Sequence, residues 1–146
     1  MKKPRYFLDT NVLLYLADSR APEKLAQAKR WMGWLQEHGE VHISWQVLHE
    51  FYVNAIKKFG LPPVFARRLV LHYQRLGPVD TDPALVARAW NWQDQAQVSY
   101  WDALVLAAAE RAQCEFLLSE DFQDGRTYGG VTARNPFASE PGEVPT

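Results

Sequence analysis

The sequence has 146 residues, close to the usual size of one domain. Apolar residues make up 47% and charged residues 23%, which is ordinary for a globular protein and excludes a disordered chain. The formal net charge of −1 argues against a protein that coats nucleic acid by bulk positive charge. One cysteine, Cys114, excludes an intramolecular disulfide and suits a reducing compartment. No apolar run approaches the roughly 20 residues needed to cross a bilayer, so we expect a cytoplasmic protein that does not enter the membrane.

Short apolar runs alternate with longer amphipathic runs along the chain. Residues 6–8 predict a strand, and helices follow over 11–17 and 22–38. A second strand is predicted at 41–44, followed by helices over 45–59 and 64–73. A turn at 77–79 leads into a very short third strand, and helices follow over 83–94 and 100–112. Residues 115–118 predict a fourth strand, and a Gly-rich turn at 129–130 precedes a weak fifth strand at 131–133. We expect Ser44, Asp82 and Ser99 to cap the helices that follow them.

Strands separated by helices are typical of βαβ units. They predict one α/β domain with a mostly parallel sheet of four to five strands and helices on both faces. We place this domain at residues 1–137. From Asn135 onward the sequence holds three prolines and one glycine, so we expect residues 138–146 to form a loose C-terminal tail. In such sheets ligands bind beyond the carboxyl ends of the strands, where the strand order reverses.

Acidic residues stand at several of these strand ends. Asp9 directly follows the first strand, and Asp121 follows the fourth, with Asp124 one short turn later. If the first and fourth strands are neighbours, Asp9 and Asp121 converge on one edge of the sheet. Asp102 lies in the first turn of the helix before the fourth strand, where it can face the same edge. Glu50 lies near the beginning of the helix after the second strand.

Each acid also has a purely structural interpretation. Asp9 is suited to cap the helix after it, and Asp102 stands three residues after Ser99, as in a capping box. Glu50 lies about 60° outside the apolar arc of its helix, which is typical of a solvated residue. The two acids after the fourth strand are common turn formers. Taken singly, these interpretations are favoured for each acid.

The acids are more informative as a group. Asp9, Glu50, Asp102 and Asp121 have no Lys or Arg within three positions in the sequence. Carboxylates gathered without a cation repel one another, and some of them would stay protonated near neutral pH. A divalent cation removes this conflict, and oxygen ligands suit Mg²⁺ or Mn²⁺. An open acidic metal site is typical of metal-assisted phosphoryl chemistry.

Four segments resemble, in order, the motifs of the PIN-domain ribonucleases, of which VapC-type toxins are the largest group. These segments are FLDTNVL at 7–13, SWQVLHEF at 44–51, SYWDAL at 99–104 and LLSEDF at 117–122. The segment NPF at 135–137 is similar to the end of the closing strand in one branch of the family. The resemblance covers about residues 5–137 and implies a PIN-type sheet with an acidic Mg²⁺ or Mn²⁺ pocket.

The resemblance also implies a role for each matched residue. The positions that match the four family acids are Asp9, Glu50, Asp102 and Asp121. Among these, Asp9 and Asp102 match the usual direct metal ligands, with Asp121 as a further ligand. The polar positions that orient the acids or a bound water are matched by Thr10, Asn11 and Ser119. Asp124 remains an alternative to Asp121 for the role of the fourth acid.

The implied activity is metal-dependent hydrolysis of RNA phosphodiester bonds by an activated water, as in an endoribonuclease. In this hypothesis Asp9 and Asp102 hold the first ion, and Asp121 and Glu50 hold a second ion or position the attacking water. The resemblance further implies the toxin component of a toxin–antitoxin pair, a homodimer, and a cognate antitoxin that covers the active-site groove. The helix pair at residues 45–73 could supply such a groove.

Two other functions remain open. The domain could be a catalytically inert PIN-fold module that binds nucleic acid or protein, although the presence of all four acids counts against this. It could also be a DNA-directed metal nuclease, although 146 residues leave no room for the helical arch of the flap-cutting enzymes.

Basic residues that could steer an RNA backbone are Arg20, Lys24, Lys57, Lys58, Arg67, Arg68 and Arg126. Trp101, beside Asp102, could either pack in an interface or stack on a base.

Overall fold

A short apolar strand lies near the centre of the sheet in the computed structural model, which describes residues 2–143. This strand, β1 (Arg5–Leu8), buries Tyr6, Phe7 and Leu8 almost completely. Successive side chains of a strand point to opposite faces of the sheet. Both faces of β1 are therefore covered, as is usual in a parallel sheet.

One mostly parallel sheet contains all five strands of the described residues. The other four strands are β2 (Glu40–His42), β3 (Phe116–Leu118), β4 (Thr127–Tyr128) and β5 (Val131–Arg134). Their order is β2-β1-β3-β5-β4, and only β4 runs antiparallel to its neighbour. The chain passes from β1 to β2 on one side and later to β3 on the other, so the strand order reverses between β1 and β3. The predicted mostly parallel sheet is confirmed.

Two short segments differ from the prediction. The expected third strand is reduced to an isolated bridge between Val79 and Ser44, because Pro78 has no N–H and Asp82 already caps the next helix. The second difference is β4, a strand that the sequence pattern did not predict. The glycine pair 129–130 turns the chain back on itself, with Gly129 at a φ of 62°. The turn joins β4 to β5 in a hairpin. A two-residue strand is too short to show a period in the sequence.

Six α-helices occur within residues 2–143. They are α1 (Thr10–Leu16), α2 (Pro22–His38), α3 (Trp45–Lys57), α4 (Pro63–Tyr73), α5 (Pro83–Ala96) and α6 (Tyr100–Arg111). The predicted caps of α3, α5 and α6 are confirmed, because Ser44, Asp82 and Ser99 each accept a hydrogen bond from a backbone N–H of the first turn. Every residue of α6 from 103 to 109 is buried, so this helix lies in the core of the domain. No helix among the described residues is long and apolar enough to span a bilayer.

The chain beyond β5 contacts α2, in the region where we expected a loose tail from residue 138. The side-chain N–H groups of Gln27 and Trp31 both donate to the carbonyl oxygens of Pro136 and Ser139, at 2.9–3.1 Å. Ser139 itself is buried. The indole N–H of Trp31 needs an acceptor inside the protein, and these two carbonyls provide it. Residues 144–146 of the expected tail lie outside the described residues.

Candidate active site

Asp9 and Ser119 meet at the carboxyl ends of two neighbouring strands. β1 and β3 are parallel, with Leu8 opposite Leu118, so the residues that follow them lie side by side. The hydroxyl of Ser119 donates to Oδ2 of Asp9 at 2.7 Å, and the backbone N–H of Thr10 donates to Oδ1 at 2.8 Å. Asp9 is also the N-cap of α1, so its structural and its proposed catalytic roles are compatible.

Asn11 brings Asp121 into the same network. Its Nδ2 donates to Ser119 Oγ and to Oδ2 of Asp121, both at 3.1 Å, and the backbone N–H of Asp121 also donates to Ser119 Oγ at 3.1 Å. Ser119 Oγ therefore accepts two hydrogen bonds and donates one to Asp9, which is its full capacity. The arrangement fixes the direction of the bond to Asp9, because the hydroxyl has no lone pair left to accept another hydrogen.

Glu50 joins the site from α3 through a hydrogen bond to α1. Thr10 Oγ1 donates to Oε2 of Glu50 at 2.8 Å, and Gln46 Nε2 donates to Oε1 at 2.9 Å. The carboxylate is half-buried and held at both oxygens, so it does not lie on a freely solvated helix face. A hydrogen bond thus connects Glu50 to Thr10, the residue that follows Asp9.

Asp102 lies in the first turn of α6 and is half-buried. Burial raises the pKa of its carboxyl group, and the carboxylates of Asp121 and Glu50 raise it further. The start of α6 is tied to α3, since Gln46 Nε2 also donates to the carbonyl of Trp101 at 3.2 Å. Asp102 is therefore close enough to Asp121 and Glu50 for their charges to raise its pKa, although it makes no hydrogen bond to them.

Burial is also the main reason that the pKa of Asp9 is raised to about 7. The hydrogen bonds from Ser119 and Thr10 oppose this rise, and the carboxylates of Asp121 and Glu50 add to it. Within residues 2–143, none of the four acids forms an ion pair with a lysine, arginine or histidine. The site therefore concentrates negative charge that no side chain of the described region neutralises by a direct contact.

The donors at this site are chemically suited to a hard divalent cation, because they are carboxylate, hydroxyl and amide oxygens. No three His, Cys, Asp or Glu side chains of the described residues converge closely enough to form a ready-made ligand group. Mg²⁺ does not require such a group, since it usually keeps several waters and takes only one or two carboxylates directly. The residues present therefore fit a hydrated ion better than a fully enclosed one.

A cleft with a volume of about 380 Å³ opens beside these residues. One side presents Thr10, Asn11 and Asp121, and Glu50 faces them from α3. Lys58 also lines the cleft and is exposed, so the cleft contains a cation that is free to meet a phosphate group. Of the four acids, Glu50 and Asp121 line this cleft, and Asp9 and Asp102 do not.

Asp124, the alternative fourth acid, lies elsewhere. Its Oδ1 accepts a hydrogen bond from the backbone N–H of Asn135 at 2.9 Å and lies 3.7 Å from Nε of Arg134. These contacts hold the loop between β3 and β5. The structure thus brings Asp121 together with Asp9, Glu50 and the three polar residues of the network, and it leaves Asp124 outside.

Several basic residues that could steer RNA have structural partners instead. Lys24 Nζ lies 2.6 Å from a carboxylate oxygen of Glu120, and Arg20 pairs with Asp18 at 3.0 Å.

Sequence reasoning did not single out Glu120, nor Gln46 and Asn54, which flank Glu50 on α3. The spacing of four residues on either side of Glu50 was the available signal, because such residues share a helix face.

The fold and the site together define a class of protein. It is an α/β domain with an acidic, oxygen-rich pocket at the point where the strand order of the sheet reverses. Residues 6–127 match the PIN domain, and the chain belongs to the PIN-domain family. PIN domains are typically nucleases and generally use divalent metals. No curated protein matches the chain in sequence.

Two solved structures are similar to this chain in fold. One is the toxin VapC20 of Mycobacterium tuberculosis, described as cleaving the sarcin–ricin loop. It has 20% identity and a TM-score of 0.62, over 80% of this chain and 91% of that one. The other is VapBC2 from Rickettsia felis, bound to a DNA fragment from its promoter. It has 15% identity and a TM-score of 0.65, over 90% of this chain and 98% of that one. At these identities the likeness concerns the fold.

Proposed function

We propose that this chain is a Mg²⁺- or Mn²⁺-dependent endoribonuclease and the toxin component of a toxin–antitoxin pair. The observation that carries the proposal is the acidic network at the switch point, where Asp9, Glu50 and Asp121 are linked through short polar side chains. RNA is the favoured substrate because the four motifs resemble those of PIN-domain ribonucleases, and the similar toxin VapC20 is described as cleaving the sarcin–ricin loop. The cleft beside this network is lined by the acids Glu50 and Asp121 and by the exposed Lys58, which suits a phosphate group and a metal ion together.

The first motif would organise the site with three consecutive residues. Asp9 supplies a carboxylate, Thr10 holds Glu50, and Asn11 holds Asp121. Ser119 closes the network by its bonds to Asp9 and to the backbone of Asp121. Thr10 and Asn11 lie in the first turn of α1 and Ser119 directly follows β3, so these hydrogen bonds would position the carboxylates before substrate binds.

Asp9 and Asp102 would hold the divalent cation directly or through water, with Asp121 as a further ligand. Such a cation supplies an activated water and neutralises charge that develops on the phosphate oxygens. Asp121 and Glu50 would hold a second ion or position the attacking water. Hydrolysis would join the water oxygen to phosphorus and break the bond to the leaving ribose oxygen, which takes up a proton. No side chain needs to act as a covalent nucleophile.

The same proposal includes a homodimer and an antitoxin. An apolar cleft of about 430 Å³ between α3 and α4 is lined by Leu48, Tyr52, Val70 and Leu71 among others, and Leu71 is 63% exposed. A groove of this kind suits the apolar face of an amphipathic helix. The structurally similar Rickettsia protein is a VapBC complex, which favours a partner of the antitoxin type. Light scattering of the purified chain, alone and with the antitoxin, measures both assemblies.

The decisive experiment is cleavage of a labelled, mixed-sequence, single-stranded RNA in Mn²⁺. We expect wild type to cleave it, and we expect EDTA or Asp9→Asn to abolish cleavage. Asp121→Asn and Asp124→Asn form a matched pair, because both remove one charge from the same loop. We expect a loss of at least 100-fold for Asp121→Asn and less than threefold for Asp124→Asn, since only Asp121 belongs to the network.

Other outcomes would select the other functions. Cleavage of single-stranded DNA of the same sequence, with RNA left intact, would identify a DNA-directed nuclease. Binding of RNA without cleavage of any RNA pool would favour an inert binding module. Equal cleavage by wild type and Asp9→Asn would mean that the activity does not come from this site.

A further inference from the structure

A second cleft, with a volume of about 630 Å³, adjoins the proposed active site and has no role in the mechanism above. Glu50 lines both this cleft and the acidic one, so the two are neighbours on the surface. Four aromatic rings border it, namely Trp45, His49, Tyr100 and Trp101. The volume is within the range of ~300–1,000 Å³ that is common for small-molecule sites. We call it the aromatic cleft.

Trp101 is the most informative residue of this cleft. It is 62% exposed and lies directly beside Asp102 in the first turn of α6. A tryptophan so exposed contributes little to the hydrophobic core, and its large ring is open to a flat ligand. The ring centroids of Tyr100 and Trp101 lie 5.5 Å apart at an interplanar angle of 63°, and both residues line the cleft.

The charges of the aromatic cleft select the part of a nucleic acid that fits. Its two charged residues are both acids, Glu50 and Asp80, and no lysine or arginine lines it. A phosphate group would be repelled there, whereas an uncharged base would not. Gln46 donates to Glu50 and to the Trp101 carbonyl, and its Oε1 is buried without a partner among the described residues. The carboxylates of Glu50 and Asp80 are the hydrogen-bond acceptors that line the cleft, and acceptors suit the N–H edges of a base.

We propose that the aromatic cleft takes up an unpaired base of the RNA substrate, stacked on Trp101. The proposal deepens the endoribonuclease function and rests on it for the identity of the substrate. The backbone of the same nucleotide would then lie toward Glu50 and the acidic cleft, where the phosphodiester is cut. Stacking on aromatic rings tolerates any base, because every base has a flat π-face. The substrate would therefore need an unpaired nucleotide at the cleavage site, as in a loop or a single strand.

The test is a binding measurement in EDTA, which does not depend on hydrolysis. Fluorescence anisotropy gives the Kd of an end-labelled ten-nucleotide RNA and of an abasic ribose-phosphate strand of the same length. The variants are Trp101→Ala, Trp101→Phe and the control Trp90→Ala, whose tryptophan is 57% exposed on α5 and does not line the cleft. Thermal unfolding of each variant verifies its fold, which we expect to be kept because both rings are exposed.

We expect Trp101→Ala to raise the Kd for RNA roughly 5- to 150-fold, as is typical for the loss of one stacked base. Trp101→Phe should recover part of the affinity, and Trp90→Ala should bind as wild type does. The Kd for the abasic strand should be the same for wild type and Trp101→Ala, because no base is present to stack. An equal loss of affinity on both strands would contradict stacking.

Hydrolysis in Mn²⁺ by the same preparations separates this inference from the proposed function. If wild type cleaves RNA and Trp101→Ala binds RNA as tightly as wild type does, the inference fails while the nuclease stands. If wild type neither binds nor cleaves RNA, the proposed function fails and the inference falls with it. Tight base-dependent binding without cleavage in Mn²⁺ would support the aromatic cleft and overturn the nuclease.

Discussion

Ser119 donates a 2.7 Å hydrogen bond to Asp9 across 110 positions of sequence, and this bond joins the first and the last acidic motif of the chain. The serine hydroxyl accepts from Asn11 and from the backbone of Asp121 at the same time. One hydroxyl group therefore sets the spacing of the two carboxylates that follow β1 and β3. The strand-end acids form a unit because a buried hydroxyl lies between them.

Replacing Ser119 should separate the contribution of this hydroxyl from that of the acids. Ser119→Ala leaves one carboxylate oxygen without a donor and two N–H groups without an acceptor, so we expect a loss of about 1–3 kcal/mol in unfolding free energy. RNA cleavage should fall at least tenfold, because Asp9 and Asp121 are no longer held together. Ser119→Thr keeps the hydroxyl and should retain most activity. Urea unfolding and cleavage rates measure the two effects, and full activity in Ser119→Ala would contradict the proposed positioning.

The raised pKa of Asp9 predicts how stability changes with pH when no metal is bound. The folded chain holds the proton up to a pKa of about 7, compared with a pKa of 3.8 for an aspartate exposed to water in the unfolded chain. This contribution to stability is therefore fully present below pH 4 and is lost as the pH rises through about 7. Its size is on the order of 4 kcal/mol. Denaturant unfolding in EDTA between pH 4 and pH 8 should show the decline in wild type.

Asp9→Asn is the matched control for this pH dependence, since it removes the titrating group and keeps the shape. We expect its stability to change less between pH 4 and pH 8 than that of wild type. Parallel pH curves for the two proteins would show that another group is responsible.

A divalent cation should reverse this loss, because it neutralises the repulsion among the four acids. We expect Mg²⁺ or Mn²⁺ to raise the melting temperature at pH 8 and to have less effect at pH 5, where Asp9 is protonated. At a concentration 100 times its Kd the ion would add about 2.7 kcal/mol. Asp9→Asn should lose most of this gain and Asp124→Asn should keep it. Thermal unfolding with titrated metal measures the effect, and an equal gain in Asp9→Asn would rule out Asp9 as a ligand.

The sequence was sufficient for those parts of the fold that depend on strong local patterns. One favoured structure exists for each of three patterns, namely the apolar run before Asp9, the caps at Ser44 and Ser99, and the apolar run 103–109 of α6. The meeting of the acids after β1 and β3 was predicted on the condition that these strands are neighbours, and the structure shows that they are.

Long-range pairings were harder to predict from local pattern. Helical periodicity predicted that Glu50 lies in solvent. Periodicity describes one helix at a time, so it does not show that Thr10, on another helix, donates its hydroxyl to Glu50. The docking of residues 136–139 depends on the indole N–H of Trp31, which lies more than 100 positions earlier. Such contacts depend on how distant elements pack, and a single sequence does not reveal them.

Lys24 and Glu120 provide the last prediction, because their ion pair holds the loop that carries two site residues. Glu120 stands between Ser119 and Asp121, and its carboxylate accepts from Lys24 Nζ at 2.6 Å and from the Tyr15 hydroxyl at 3.0 Å. The pair is partly exposed, so its removal should cost less than about 1 kcal/mol of stability. Cleavage should nevertheless fall severalfold in Lys24→Met, because the loop after β3 loses its anchor to α2.

A double-mutant cycle decides whether Lys24 acts through Glu120 or on RNA itself. If the pair is an anchor, Lys24→Met and Glu120→Gln should reduce cleavage to similar extents, and the double variant should be no worse than either alone. The KM for RNA should then change little compared with kcat. If Lys24 instead binds the RNA backbone, Glu120→Gln should have no cost, and Lys24→Met should raise KM in a salt-dependent manner. Additive losses in the cycle would contradict the anchor.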